Sequence, residues 1–186
     1  TIEIDSQLAG WVNPDQVIGP NKLLVNENGE QIRPSHALMV RKTCFYAESG
    51  GQVGDKGIIT TATGAVEILD TVRKGATIFH LGRILNGVIE PEQSAHLKVS
   101  GFREFTKKNH TATHLLNWAL REVLGEHVEQ KGSLVDSEKT RFDFTHDKPL
   151  THEEVARIEQ LVNEKVYAAL PVTPLTMPLA EAIKEV

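Results

Sequence analysis

The sequence has 186 residues, 40% apolar and 24% charged, with a formal net charge of −5 at pH 7. This composition is typical of a globular protein with one large domain or two small ones. Proteins that wrap nucleic acid through overall charge are usually basic, so any such contact must be local. The sequence contains no run of 18 apolar residues, so it predicts no membrane-spanning helix. Cys44 is the only cysteine, which excludes an internal disulfide. We therefore expect a cytoplasmic protein without a secretory leader or a membrane anchor.

The first half of the sequence predicts β structure. Short apolar runs recur about every ten residues and are separated by turn residues, which is typical of a small barrel or sandwich. Asn26-Glu27-Asn28-Gly29 follows the first run and favours a hairpin turn, because Asn and Gly tolerate positive φ. The runs occupy residues 23–25, 37–40, 57–60, 65–69, 77–81 and 96–99.

A glycine-rich segment at residues 44–55 departs from this strand pattern. Gly50, Gly51 and Gly54 fall within five positions, between the acidic residues Glu48 and Asp55. Glycine lets the backbone approach a ligand closely, and adjacent N–H groups can hold an anion. The alternative is an ordinary glycine-rich turn between strands.

From Phe102 the apolar period becomes helical, and Gly125 is expected to end this helix. His110 and His114 are four residues apart, so their side chains share one face, as two ligands of a metal must. They lie opposite the apolar positions, which places the pair on the polar side. The alternative is two solvated histidines. The apolar positions are Phe105, Ala112, Leu116, Ala119, Leu120 and Val123.

The remaining sequence predicts an antiparallel hairpin, a helix, a strand and the beginning of a last helix. The hairpin covers residues 128–135 and 140–144. Thr151 and Glu154 form a capping box for a helix that runs to about Leu170, where Pro171 stops it. Residues 172–177 are predicted to be a strand and residues 179–186 to open a helix. Helices on one face of an antiparallel sheet form an α+β layer.

Basic residues precede the histidine pair, at Arg103, Lys107 and Lys108. They are candidate contacts to nucleic-acid phosphates, and the alternative is solvated surface charge. The sequence begins at Thr1 rather than an initiator methionine, and its last residues carry no C-cap signal. We therefore expect an excerpt of a longer protein.

Three segments together resemble alanyl-tRNA synthetases. Residues 45–55 resemble the family's glycine-rich motif, and residues 109–116 resemble the HxxxH motif of its editing domain. Residues 130–135 with 141–144 resemble the hairpin that follows, in the same order and spacing. The resemblance implies a small β-barrel over residues 1–99. It also implies a two-layer α/β sandwich over residues 100–186, like the second N-terminal domain of threonyl-tRNA synthetases.

The resemblance also implies an activity, the hydrolysis of seryl-tRNA and glycyl-tRNA when the tRNA is specific for alanine. A pocket for alanine excludes glycine and serine only weakly, so a second site must discriminate. Thr111 and Gln130 match motif positions and are candidate partners for the serine hydroxyl, with purely structural roles as the alternative. A metal ion, or backbone N–H groups near Gly50 and Gly51, are the candidates for stabilising the oxyanion. The implied partners are the acceptor end of the tRNA and the remaining synthetase domains, which ligate alanine using ATP.

The family's cofactor is zinc, and the resemblance makes His110 and His114 two of its ligands. The family completes the site with a cysteine and a histidine in a CxxxH segment, C-terminal to all residues here. His127, His146 and His152 match neither missing position. We therefore expect this chain alone to bind zinc weakly or not at all and to deacylate poorly. The alternative function is a non-catalytic tRNA-binding or structural module with a vestigial histidine pair.

Overall fold

The structure is a computed structural model that describes residues 2–173 and 175–185. It divides into two compact units: unit 1 comprises Thr1–His114 and Glu129–Thr145, and unit 2 comprises Leu115–Val128 and His146–Val186. The division into domains at residues 1–99 and 100–186 stays a prediction. The strands are β1 (Glu3–Val12), β2 (Leu24–Val25), β3 (Gln31–Ile32), β4 (His36–Val40), β5 (Gly57–Thr61), β6 (Gly64–Lys74), β7 (Thr77–Gly87), β8 (Ser94–Val99), β9 (Gln130–Val135) and β10 (Thr140–Phe144). The helices are α1 (Asp15–Ile18), α2 (Arg103–Leu124), α3 (His152–Ala168) and α4 (Leu179–Glu185).

Six strands of unit 1 close into an antiparallel barrel, which confirms the α+β class with an N-terminal barrel. Their order is β1-β4-β7-β6-β5-β8, and β8 pairs with β1 to complete the ring. Alternating side chains fill the interior, because successive strand residues face opposite sides. The fully buried members of this core include Leu8, Leu38, Ile59, Val66, Ile68 and Leu97.

The strand β1 and the single-turn helix α1 carried no separate sequence signal. A bulge between Leu8 and Gly10 breaks the alternation of β1, which obscures the period on which strand prediction depends. The predicted turn after the first apolar run is confirmed as the short β2–β3 hairpin. Oδ1 of Asn26 accepts hydrogen bonds from the N–H groups of Asn28 and Glu30 in this turn, and Gly29 has φ +81°.

The hairpin of β9 and β10 confirms the second predicted hairpin. The carboxylate of Asp136 accepts hydrogen bonds of 2.8 Å from the N–H groups of Glu138 and Lys139, which closes the turn. The rings of Phe142 and Phe144 lie on one face, with centroids 6.2 Å apart. The two rings therefore follow the alternation of a regular strand.

Unit 2 contains the end of α2 together with α3 and α4. The predicted capping box is confirmed: Thr151 accepts from the N–H of Glu154, and the Glu154 carboxylate accepts from the N–H of Thr151. The helix ends at Ala168 rather than near Leu170, since Ala169 adopts a left-handed conformation. None of the helices in the described ranges is long and apolar enough to cross a bilayer.

The strand predicted at residues 172–177 is wrong for the described residues 172–173 and 175–177, which form no regular element. Pro171 and Pro178 flank this stretch and lack an N–H group to donate to a neighbouring strand, which weakens any ladder at its ends. Pro174, within the predicted strand, lies outside the described residues, as does Val186 at the end of the predicted last helix. Over the described part, that helix is confirmed as α4.

Candidate functional site

The two histidines of the HxxxH motif stack on one another on α2. Their ring centroids are 5.1 Å apart with an interplanar angle of 21°. His110 is half-buried and His114 is exposed. The pair therefore lies on the accessible side of the helix, as the sequence predicted.

The buried face of the first turns of α2 differs from the predicted apolar stripe. Phe105 is 54% exposed, whereas Thr106 and Thr113 are buried. Oγ1 of Thr113 donates a hydrogen bond of 2.9 Å to the backbone oxygen of Asn109 and shares one of 2.7 Å with the hydroxyl of Thr140. Buried hydroxyls that find partners are tolerated, so this face packs through polar groups that an apolar pattern does not detect.

A buried glutamine of the glycine-rich segment holds His110. Nδ1 of His110 lies 2.7 Å from Oε1 of Gln52, whose side chain is 4% exposed. Because the amide oxygen only accepts, Nδ1 carries the proton and Nε2 keeps its lone pair. Burial lowers the pKa of His110 below its usual value, and the neighbouring His114 lowers it further. His110 is therefore held in the neutral form with one nitrogen set to bind an electrophile.

A second link joins α2 to the same segment two helical turns earlier. Arg103 forms an ion pair with Asp55, which is 6% exposed and also accepts the N–H of Tyr46 at 2.7 Å. The guanidinium lies 5.4 Å from the centre of the Tyr46 ring. Burial raises the pKa of Asp55, and the Tyr46 N–H and Arg103 oppose that rise. Arg103 is thus engaged inside unit 1, which leaves less of it for the predicted phosphate contact.

Gly51 is the point where the glycine-rich segment meets the hairpin. Its carbonyl accepts the N–H of Val135 at 2.8 Å, and the N–H of Val53 donates to the oxygen of Val135 at 3.1 Å. Gly51 has φ +79°, and a Cβ there would overlap Oγ of Ser133 and lie 2.8 Å from its carbonyl oxygen. Only glycine fits this close approach.

Gly50 occupies open space by contrast. It has φ +60°, and a Cβ would meet no atom within 4 Å. Within residues 2–173 and 175–185, no oxygen accepts a hydrogen bond from the N–H of Gly50 or Gly51. The predicted use of these two groups for an oxyanion remains a prediction that this arrangement permits.

The two candidates for serine recognition are both exposed. Oγ1 of Thr111 donates to the backbone oxygen of Lys107 at 3.2 Å, one turn earlier in α2. Nε2 of Gln130 donates to Oγ of Ser133 at 3.2 Å, which brings Gln130 to the Gly51 contact. Both retain solvent access, and their roles toward serine stay predictions.

The lysines of the predicted basic patch are accessible at the start of α2. Lys107 lies 3.3 Å from Glu104, and both side chains are more than half exposed, so this pair adds little stability. Nζ of Lys108 lies 5.6 Å from the centre of the Phe105 ring. Both lysines are exposed, and their role toward nucleic acid stays a prediction.

His110 and His114 fit a zinc ion as two of its ligands. Zinc takes neutral imidazole nitrogens, and the hydrogen bond from Nδ1 to Gln52 is the kind of outer contact that orients a ligating histidine. Two ligands are fewer than the three or four that zinc usually has in proteins. The fit is therefore partial.

Gln52, Asp55 and Ser133 are the residues of this site to which sequence reasoning assigned no role. Each lies inside a segment that had drawn attention for its glycines or its overall pattern. The available signal for Gln52 was a lone carboxamide among small and apolar neighbours, and for Asp55 an acid at the segment's end. Their partners on α2 are 48 or more residues away, so no local period reveals them.

Comparison with known proteins gives a consistent result. The family profile described as tRNA synthetases class II (A) matches residues 21–103. The chain is 51% identical over 149 residues to an alanine–tRNA ligase of Psychrobacter arcticus, an alignment that covers 80% of this chain and 17% of that protein. Similar enzymes from Sorangium cellulosum and Caldicellulosiruptor saccharolyticus are 50% identical over 147 residues and 47% identical over 150 residues. They cover 78% and 79% of this chain, which spans 16% and 17% of their lengths.

Proposed function

Because the chain belongs to the alanyl-tRNA synthetase family, we propose that it forms part of an editing site. The site hydrolyses the ester of seryl-tRNA or glycyl-tRNA when the tRNA is specific for alanine. The observation that carries this proposal is the orientation of His110 by the buried Gln52, beside His114. An oriented imidazole beside a second one on an accessible helix face serves catalysis or metal binding better than packing.

The chemistry is the addition of water to the ester carbonyl, followed by cleavage of the bond from that carbon to the ribose oxygen. His110 and His114 would hold the zinc ion, which when bound supplies Lewis-acid stabilisation of negative charge. Gln52 keeps the ring of His110 in place. The N–H groups of Gly50 and Gly51 are assigned to the oxyanion. The amino acid leaves as the free acid, and the ribose oxygen takes the proton.

The need for such a site follows from the difficulty of rejecting small substrates. A pocket shaped for the alanine methyl loses little when glycine enters, and it rejects an added hydroxyl weakly. A second site that accepts serine needs a partner for its hydroxyl. Thr111 and Gln130 are the assigned partners, both exposed beside the segments that carry the histidines and the glycines.

The test is hydrolysis of serine-charged alanine tRNA by a full-length alanine–tRNA ligase that carries these residues. We expect His110→Ala with His114→Ala to slow hydrolysis by about a hundredfold or more while ligation of alanine continues. His96→Ala, an exposed histidine of the barrel, is the matched control and should hydrolyse normally. Hydrolysis at the wild-type rate in the double variant would refute the proposal.

A second candidate is a non-catalytic tRNA-binding module, favoured by the exposed Lys107 and Lys108. Replacing both by alanine should then weaken tRNA binding and lower its salt dependence by about 1 to 2 in log-log slope. Lys184→Ala, an exposed lysine of α4, is the control. This candidate prevails if the double histidine variant retains full hydrolysis and the lysine variants lose tRNA affinity.

A further inference from the structure

Unit 2 contains a second cluster of metal-ligating side chains, formed by His127, His146 and Asp147. We propose that these three residues bind one divalent transition cation of the zinc class, independently of His110 and His114. The proposed occupant is the metal ion itself, with water completing its coordination.

The geometry of the cluster suits such an ion. Nε2 of His127 lies 3.0 Å from Nδ1 of His146, and the two rings stack with centroids 5.2 Å apart. One ligand atom from each of the three residues lies within 4.8 Å of the other two. Two nitrogens bound to a tetrahedral zinc are about 3.4 Å apart, so a shift of a few tenths of an ångström brings both onto one ion.

The backbone fixes the segments on both sides of the cluster. Gly125 ends α2 with φ +110°, and the N–H of Val128 donates to its oxygen at 3.2 Å, which places His127 within a tight turn. Directly before His146, the N–H of Thr145 donates to the oxygen of Glu129 at 3.0 Å. Preorganised ligands lose little freedom when an ion binds, which favours binding.

The two nitrogens of His146 have different surroundings. Nε2 of His146 is buried, and no atom of the described residues forms a hydrogen bond with it. The nitrogen of His146 that faces His127 is Nδ1, so Nδ1 is the ligand atom proposed here. Asp147, next in sequence, adds a negative charge that offsets part of a cation's charge.

The donor set indicates the class of ion. Two imidazoles and one carboxylate suit zinc and its first-row neighbours, whereas magnesium and calcium prefer oxygen ligands throughout. Three protein ligands leave one position of a tetrahedral ion to water. We therefore expect zinc to bind and magnesium to compete poorly.

The experiment titrates the metal-free chain with zinc alone, in a background of His110→Ala with His114→Ala that removes the other pair. Calorimetry gives the affinity and stoichiometry, and imidazole nitrogen chemical shifts report which rings bind. We expect one zinc in this background, with shifts at His127 and His146. Adding His127→Ala or His146→Ala should weaken binding by more than about tenfold, since even outer-shell changes cost that much.

Two further variants separate ligation from folding. Asp147→Asn alters an exposed residue and should weaken zinc binding while the circular dichroism spectrum stays unchanged. His152→Ala, an exposed histidine outside the cluster, should bind zinc as the background does. The proposal is overturned if the background binds no zinc, or if the variants at His127, His146 and Asp147 all bind as the background does.

Discussion

Nδ1 of His110 donates a hydrogen bond of 2.7 Å to Oε1 of Gln52, across 58 positions of the sequence. This contact ties the helix that carries the HxxxH motif to the glycine-rich segment. It fixes the tautomer of His110 and the direction in which its free nitrogen points. The glycine-rich segment therefore supplies the residue that orients the first histidine of the HxxxH motif.

Gln52→Leu should weaken zinc binding and seryl-tRNA hydrolysis in the full-length protein by about tenfold to a hundredfold. Leucine removes the acceptor, which frees the ring and its tautomer. Gln52→Glu keeps an acceptor oxygen and should recover most of the activity. Zinc affinity and the kcat and KM for hydrolysis are the measurements.

Gln160→Leu, at an exposed position of α3, is the matched control for Gln52→Leu and should change neither quantity. If Gln52→Leu binds zinc and hydrolyses normally, the hydrogen bond is structural only.

Gly51→Ala should destabilise the protein far more than Gly50→Ala. Both glycines have positive φ, which costs alanine about 1 to 2 kcal/mol. Only at Gly51 does the added Cβ overlap Ser133, so the total loss there should reach about 3 kcal/mol or more. Urea denaturation of the two variants measures the difference, and equal losses would show that the hairpin moves away at little cost.

The sequence predicted those parts of the fold whose signal is local. The capping box at Thr151 and Glu154 and the helix stop at Gly125 depend on neighbouring residues, and both appear in the structure. The broken alternation of β1 hid a strand, and the apolar residues at 172–177 suggested one that does not form. The period of apolar residues shows which side chains share a face, but it does not show whether a neighbouring strand is available to pair.

In the candidate site, too, only the features with a local signal in the sequence were predicted. The helical spacing of His110 and His114 placed them on the accessible side, whereas the buried Gln52 and Asp55 that hold the helix could not be found. A side chain that contacts a residue about fifty positions away leaves no periodic trace in one sequence. The closeness of Gly51 to Ser133 is of the same kind.

The stability of the protein should depend on the ionisation of Asp70. Burial raises the pKa of this half-buried carboxyl from 3.8 to about 6, partly opposed by a hydrogen bond from the N–H of Thr71. The folded state therefore binds this proton more tightly than the unfolded state. The resulting stabilisation is fully present below about pH 4 and is lost as the pH rises through about 6.

Asp70→Asn should remove that pH dependence, because the amide stays neutral. At pH 7 the variant should be more stable than the wild type by about 1 to 2 kcal/mol, a value reduced from the full shift because Asp70 is half-buried. Urea denaturation between pH 4 and pH 8 measures the difference. Asp143→Asn, at an exposed position, is the control, and parallel curves for wild type and Asp70→Asn would contradict the prediction.

Thr111→Val and Gln130→Ala should weaken hydrolysis of seryl-tRNA in the full-length protein by about tenfold each, since each removes a partner for the substrate hydroxyl. Hydrolysis of glycyl-tRNA should change less, because glycine presents no hydroxyl. The ratio of the loss for seryl-tRNA to the loss for glycyl-tRNA separates recognition of the serine hydroxyl from a general loss of structure. Thr111 has a local alternative, its bond to the oxygen of Lys107, and that bond alone predicts equal effects on both substrates. Rates measured on the two mischarged tRNAs distinguish these outcomes, and unchanged rates for both variants would remove Thr111 and Gln130 from the serine pocket.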